Sequence, residues 1–220
     1  IYPLSPLQEG MYFHHLMSNE NEGDPYVLPS LLSFTDKEKQ VDFIEALQFV
    51  VNRHDVLRTC VISEDLPRAV QVVLREAPLS VEEIGVDTSV EILPYLEELR
   101  SSGNQWMDVS KAPLLTLKSV DDSENGTHYL IINQHHLVLD HVGIEKIVSE
   151  IAMHLSGKES SLLKPALYRD FIGHTLHSQA VNDSELYFKE LLGTIEEPTY
   201  PFNLSNVQGD GSDIKEAKVL

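Results

Sequence analysis

A single cysteine, Cys60, stands in 220 residues, so the chain can close no internal disulfide, and its cysteine usage fits a reducing compartment. Basic residues are scarce: 16 Lys+Arg face 35 Asp+Glu, a formal charge of -19. Nucleic acid and anionic membrane both require a basic footprint, so this balance argues against either as a partner. No apolar run reaches the ~18 residues of a membrane-spanning helix, and no secretory signal opens the chain. A cytoplasmic location is expected. Also missing are a Gly-rich phosphate loop and a Gly-x-Ser-x-Gly nucleophile turn. The paired carboxylates Glu82-Glu83, Glu97-Glu98 and Glu196-Glu197 lie in charge-rich stretches and read as solvated faces. Cys60, followed by Val61-Ile62, reads as a small buried residue rather than a reactive thiol.

What is present suffices for a sizeable core, since 42% of the residues are hydrophobic. Ser5-Pro6-Leu7-Gln8 is a helix start: Ser5 can cap, Pro6 suits the first helical position and Gln8 can close a capping box. That helix is expected to run to about Met17. Tyr26 to Phe34 reads as a strand despite Pro29, and Asp36 opens a helix ending near Arg53. Val56 to Ile62 and Ala69 to Leu74 read as strands, and Val90 to about Gln105 as a helix. Leu114 to Val120 and Thr127 to Asn133 form a hairpin around Asn125-Gly126. Helices are expected at Val142 to Leu155, Leu167 to His177 and Asp183 to Leu192. The tail from Gly193, with Pro198, Pro201, Gly209 and Gly211, reads as an extended connector. This order predicts an α+β sandwich, with helices packed on a mostly antiparallel sheet. Ile1 at one end and the charged stretch 213–218 at the other read as cuts from a longer polypeptide.

The chemistry concentrates in Gln134-His135-His136-Leu137-Val138-Leu139-Asp140-His141. Imidazole titrates near neutrality and is the usual proton carrier at physiological pH. Neighbouring side chains on a strand point to opposite faces, so one histidine is expected to be structural and the other functional. Asp140 can hold an imidazole tautomer or pair with a buried arginine, while spacing alone leaves ordinary loop residues equally open. His128, His135, His136, Asp140 and His141 could be metal ligands by type, but adjacent residues point apart and no helical His-x-x-x-His pair supports them. No metal is expected.

The run from His135 to His141 resembles the His-His-x-x-x-Asp-Gly signature of nonribosomal peptide synthetase condensation domains, shared more widely with chloramphenicol acetyltransferase-like acyltransferases. Three further stretches are similar to that family's motifs in the same order: Tyr2 to Met11, Arg53-His54-Asp55-Val56-Leu57-Arg58-Thr59, and Tyr168-Arg169-Asp170-Phe171. The segment Glu197 to Phe202 is similar to the exit from the family's N-terminal lobe. The resemblance implies a chloramphenicol acetyltransferase-like lobe over 1–192, with 193–220 leading toward a second, C-terminal lobe outside this chain. It implies amide-bond formation between acyl or peptidyl and aminoacyl thioesters on phosphopantetheine arms of upstream and downstream peptidyl carrier proteins. No cofactor would bind directly, and the lobe alone would be inactive. His136 would be catalytic, His135 would face away and brace the loop, and Asp140 would pair with Arg58, or with Arg53 second. The family usually has glycine where this chain has His141, which becomes a candidate tunnel-lining residue. That departure keeps an alternative open: an epimerization, dual-function or degenerate module that recruits a carrier protein or tailoring enzyme.

Overall fold

Ser5 starts the first helix by the local chemistry its sequence advertises. Its Oγ accepts from Gln8 N at 3.2 Å while Ser5 N donates to Gln8 Oε1 at 2.9 Å, closing the capping box. Helix α1 then runs over Pro6–Met17. The computed structural model describes residues 1–19, 23–86, 90–101, 105–122, 125–181, 183–197 and 199–200. The connector expected beyond Tyr200, the charged stretch 213–218 and the last part of the helix expected to reach Gln105 lie outside the described residues, in whole or in part.

Two sheets organise the chain. Strands β1 (Tyr2–Pro3), β3 (Thr59–Ile62) and β4 (Val70–Val73) form a small antiparallel sheet in the order β1-β4-β3. The larger sheet has the order β2-β7-β6-β5, from β2 (Val27–Phe34), β5 (Val81–Ile84), β6 (Leu115–Asp122) and β7 (Thr127–His135). Strand β7 is antiparallel to both neighbours, with His135 opposite Val27 and Gln134 opposite Leu115. The signature therefore leaves the sheet from an interior strand. Pro29 is tolerated because β2 is an edge strand, where a missing N–H costs no ladder bond.

One expectation needs correction. Val56 to Arg58 is a 3-10 turn rather than strand, because Arg58 N bonds Asp55 O at 3.0 Å; the strand begins at Thr59. The Glu82-Glu83 pair, read as a solvated face, is exposed, and it lies on an edge strand, Val81–Ile84, parallel to β6. The two descriptions are compatible, since charge on an edge discourages pairing with another chain.

Helix α2 (Lys37–Arg53) packs on α4 (His141–Leu155), and Leu47, Val50 and Val51 enter a core that also holds Leu57, Leu117 and Leu137. A second cluster joins Leu96, on α3 (Ile92–Arg100), to Val120 and Ile131. Cys60 is buried in β3, and burial raises its thiol pKa, so it is a poor nucleophile. Helix α5 spans Tyr168–Val181 and α6 spans Ser184–Leu192. The chain divides into two compact units, Ile1–His177 and Ser178–Leu220. Among the described residues no helix is long and apolar enough to cross a membrane.

Three consecutive side chains at the end of α2 fasten α4, the segment at Leu163 and the start of α5. Arg53 Nε donates to Glu150 Oε2 at 3.0 Å and its Nη2 donates to Leu163 O at 2.8 Å. His54 Nε2 meets the same Glu150 oxygen at 2.9 Å, and Asp55 Oδ1 accepts from Tyr168 N at 3.2 Å. Burial opposes the Glu150 charge, yet His54 and Arg53 outweigh it and hold the carboxyl below its ordinary value. A carboxylate with a depressed folded pKa stabilises above its unfolded pKa, about 4.3, and loses that contribution as pH falls through the folded value. Glu150→Gln is expected to lower stability by about 1–3 kcal/mol at neutral pH. Urea unfolding along a pH series should show the gap from wild type closing below about pH 4.

Candidate active site

The signature turn is built by backbone bonds at the end of β7. His135 N donates to Leu114 O at 3.1 Å, His136 N to Tyr26 O at 2.8 Å and Val138 N to His135 O at 3.1 Å. Helix α1 adds a side-chain clamp. Gln8 Nε2 donates to Leu137 O at 2.8 Å, and its amide pairs with Gln71, whose Nε2 also donates to Pro3 O. The opening motif thus caps its own helix and also fixes the turn 129 residues away.

His136 and His135 part as the strand geometry requires. His136 lines an open cavity of about 620 Å³. Its Nδ1 lies 2.8 Å from Leu139 O. A carbonyl oxygen can only accept, so Nδ1 carries a proton and, in the neutral ring, Nε2 keeps the lone pair. Among the described residues no hydrogen bond occupies Nε2, which makes it the basic nitrogen of the site. Polar groups of Gln8, His54, Asp140, Lys146 and Tyr168 are among the others in the lining, set among Met11, Leu57, Leu137, Ile147 and Phe171. Burial, and then the Asp140 charge, raise the Tyr168 phenol above its usual range, so it stays a donor at neutral pH.

His135 turns away from the cavity into the interior and is 0% exposed. Its Nδ1 accepts from Leu137 N at 3.1 Å and its Nε2 lies 3.1 Å from Asp24 Oδ2. The same carboxylate oxygen meets His15 Nδ1 at 2.7 Å, and Asp24 Oδ1 accepts from Tyr26 N at 2.8 Å. His15 stacks on Trp106 with ring centroids 5.5 Å apart. Burial works against the Asp24 charge, but bonds from His135, His15 and the Tyr26 backbone prevail and hold its carboxyl far below the ordinary range.

His15 Nδ1, Asp24 Oδ2 and His135 Nε2 lie within 4.8 Å of one another, close enough to bracket a cation. The Leu137 N–H argues against one. It takes the Nδ1 lone pair of His135, so Nε2 holds the ring proton and has nothing to offer a metal. The ligand types considered from sequence are not brought together: His128 is paired with Asp121 at 2.8 Å near the far end of β7.

Asp140 departs from expectation. It is exposed and caps α4, its Oδ1 accepting from Gly143 N at 2.7 Å. Neither arginine reaches it. Arg58 Nη1 donates to the carbonyls of Leu74 and Arg75, and Arg53 is held by Glu150. The backbone at the start of a helix offers unpaired N–H groups next door, and that local partner takes the carboxylate. His141, the candidate tunnel-lining residue, is exposed at the first position of α4 and is not among the residues lining this cavity. Asp140, Gly143 and Ile147 share the inward helical face, and position 141 is rotated about 100° from Asp140. Asp24 and His15 were not legible as site residues, because His135 is 111 positions from its acid.

Comparison with known proteins identifies the family and the fold. The family model described as Condensation domain matches residues 1–208. The chain is 39% identical over 218 residues to malpibaldin synthetase of Mortierella alpina, covering 99% of this chain and 4% of that protein. It is 27% identical over 206 residues to tyrocidine synthase 2 of Brevibacillus parabrevis, covering 90% of this chain and 6% of that protein. Against the crystal structure of the starter condensation domain of rhizomide synthetase the TM-score is 0.70 at 16% identity, over 90% of this chain and 49% of that one. The chain therefore spans about half of that solved chain and a small fraction of the synthetases. The fold is one lobe of the two-lobe, chloramphenicol acetyltransferase-like architecture.

If the cap is what Asp140 contributes, Asp140→Ala should cost about 1 kcal/mol while Asp140→Asn costs a few tenths. Loss of a buried ion pair would instead cost about 3–5 kcal/mol in either variant. Thermal or urea unfolding of the chain separates the two.

Proposed function

The chain belongs to the condensation-domain family of nonribosomal peptide synthetases, and from that premise we propose that it supplies the histidine-bearing wall of an amide-forming site. The observation that carries this reading is the bond from His136 Nδ1 to Leu139 O, which leaves Nε2 as the lone pair on a residue lining the cavity. The donor is an acyl or peptidyl thioester and the acceptor an aminoacyl thioester, each on the phosphopantetheine arm of a peptidyl carrier protein. The acceptor amine attacks the thioester carbonyl, forming the C–N bond. The C–S bond breaks, and the amine proton passes by way of Nε2 to the departing thiolate.

Two tethered reactants held in line already remove much of the entropic barrier, so the demand on His136 is for orientation and a modest shift of a proton. The apolar lining of Leu57, Ile147 and Phe171 favours a neutral acceptor amine over its charged form. Partners under this reading are the upstream and downstream carrier proteins and the C-terminal lobe, which closes the other side of the tunnel. The fixed tautomer of His136 supports catalysis rather than recruitment alone.

His136→Ala in the intact synthetase is expected to lower peptide formation by about 10²–10⁴-fold, measured by product release from loaded carrier proteins. Unchanged product would sink the catalytic reading. The 220-residue chain alone should give no amide with both loaded carrier proteins, because half of the site is contributed elsewhere; turnover by this chain would refute that division of labour.

A further inference from the structure

The buried cluster of His15, Asp24 and His135 does not line the cavity, yet the His135 side chain reaches the catalytic turn through the N–H of Leu137. We propose that Asp24, aided by His15, is a positioning residue that locks the two adjacent histidines into opposite tautomers and so aims His136. The inference rests on the proposed role of His136 for its effect on turnover, but the tautomers can be read without any turnover.

Each ring nitrogen in the cluster has its role dictated by its partner. Asp24 Oδ2 can only accept, so His15 Nδ1 and His135 Nε2 both donate to it, at 2.7 and 3.1 Å. With its proton on Nε2, His135 presents a lone pair at Nδ1, and Leu137 N donates there at 3.1 Å. That bond, with Gln8 holding Leu137 O on the opposite side of the same residue at 2.8 Å, fixes Leu137 through both its peptide groups. The next turn of chain brings Leu139 O to within 2.8 Å of His136 Nδ1, which forces the proton of that ring onto the other type of nitrogen. His135 is thus Nε2–H and His136 is Nδ1–H. Reversing His135 would set its Nδ1–H against Leu137 N–H, two donors with no acceptor between them in a site without water access. Asp24 is 1% exposed and His135 is 0% exposed, so solvent cannot supply the missing acceptor.

Asparagine cannot replace Asp24. Its single oxygen can serve Tyr26 N–H or the two imidazoles but not both, and its NH2 group then faces at least one N–H donor. His15→Asn is a milder change, because the amide nitrogen lies close to the place of imidazole Nδ1 and still donates to Asp24.

The test is imidazole nitrogen NMR on the uniformly labelled 220-residue chain at neutral pH. Wild type is expected to show an unprotonated Nδ1 for His135 and an unprotonated Nε2 for His136. A protonated Nδ1 on neutral His135 overturns the proposal with no variant needed. In Asp24→Asn the His135 signals should exchange type or average, and the His136 pattern should lose its single tautomer. Unchanged signals from both rings in a folded Asp24→Asn chain overturn it. In His15→Asn both rings should keep their wild-type tautomers, and a change in either contradicts control by Asp24. That third measurement decides the matter should Asp24→Asn fail to fold. In the intact synthetase Asp24→Asn should lower the rate at saturating substrates while leaving KM close to wild type. Locked tautomers together with an active His136→Ala synthetase would reject the proposed catalysis and leave this inference standing.

Discussion

The carboxylate of Asp24 sits in the interior with two imidazoles on one of its oxygens, and the geometry of the whole signature turn descends from that contact. An isolated buried carboxylate would be driven to its neutral form. Here three donors, two rings and the Tyr26 N–H, keep it ionised. An ionised acid is an acceptor without exception, so it decides which nitrogen of His135 bears hydrogen. That decision passes to Leu137, whose peptide is gripped from the other side by Gln8. The local dielectric that makes such a network expensive when broken also makes it stiff when complete.

Stiffness matters because the site stands on one interior strand rather than on a free loop. β7 is flanked by β2 and β6 along its length, and its last residue is paired on both sides, to Val27 and to the carbonyl of Leu114. The turn that follows is only five residues from His136 to Asp140 before α4 begins. Asp140 then caps that helix. The carboxylate of the signature thereby ties the turn to a second rigid element, acting through the backbone where an arginine was expected. An imidazole whose backbone is clamped at both ends and whose Nδ1 is spoken for has little freedom to misaim.

What the sequence made legible was what local chemistry controls. The capping box at Ser5 and Gln8, the hairpin strands flanking Asn125-Gly126, and the start of α4 after Asp140 each depend on partners within a few residues. The split between His135 and His136 followed from alternation along a strand. Less legible was anything decided by distant partners. β5 carries two exposed glutamates and is a strand because β6 lies beside it. Val56 to Arg58 has strand-forming composition, yet Asp55 O draws Arg58 N into a 3-10 turn. Arg58 carries the family's motif position but spends its guanidinium on the carbonyls of Leu74 and Arg75. Gln8 could be read as half of a capping box; its second role, at Leu137, needed the packing of α1 across the turn.

The histidine at position 141 illustrates how a motif residue can depart without disturbing the chemistry beside it. Glycine is demanded where the backbone takes a positive φ or where a Cβ would collide. Position 141 is the first residue of α4, and among the described non-glycine residues Asp65 is the one with positive φ. The imidazole of His141 stands in solvent, rotated off the face that Asp140 and Gly143 present to the cavity. The close approach falls at Gly143 instead, where an added Cβ would lie 2.6 Å from Leu139 Cδ1 and 3.2 Å from the capping Asp140 Oδ1. Within this lobe the place that needs a small residue is thus occupied by one. Any influence of His141 must act on whatever comes to rest over the N-terminus of α4, and the wall around His136 is built without it.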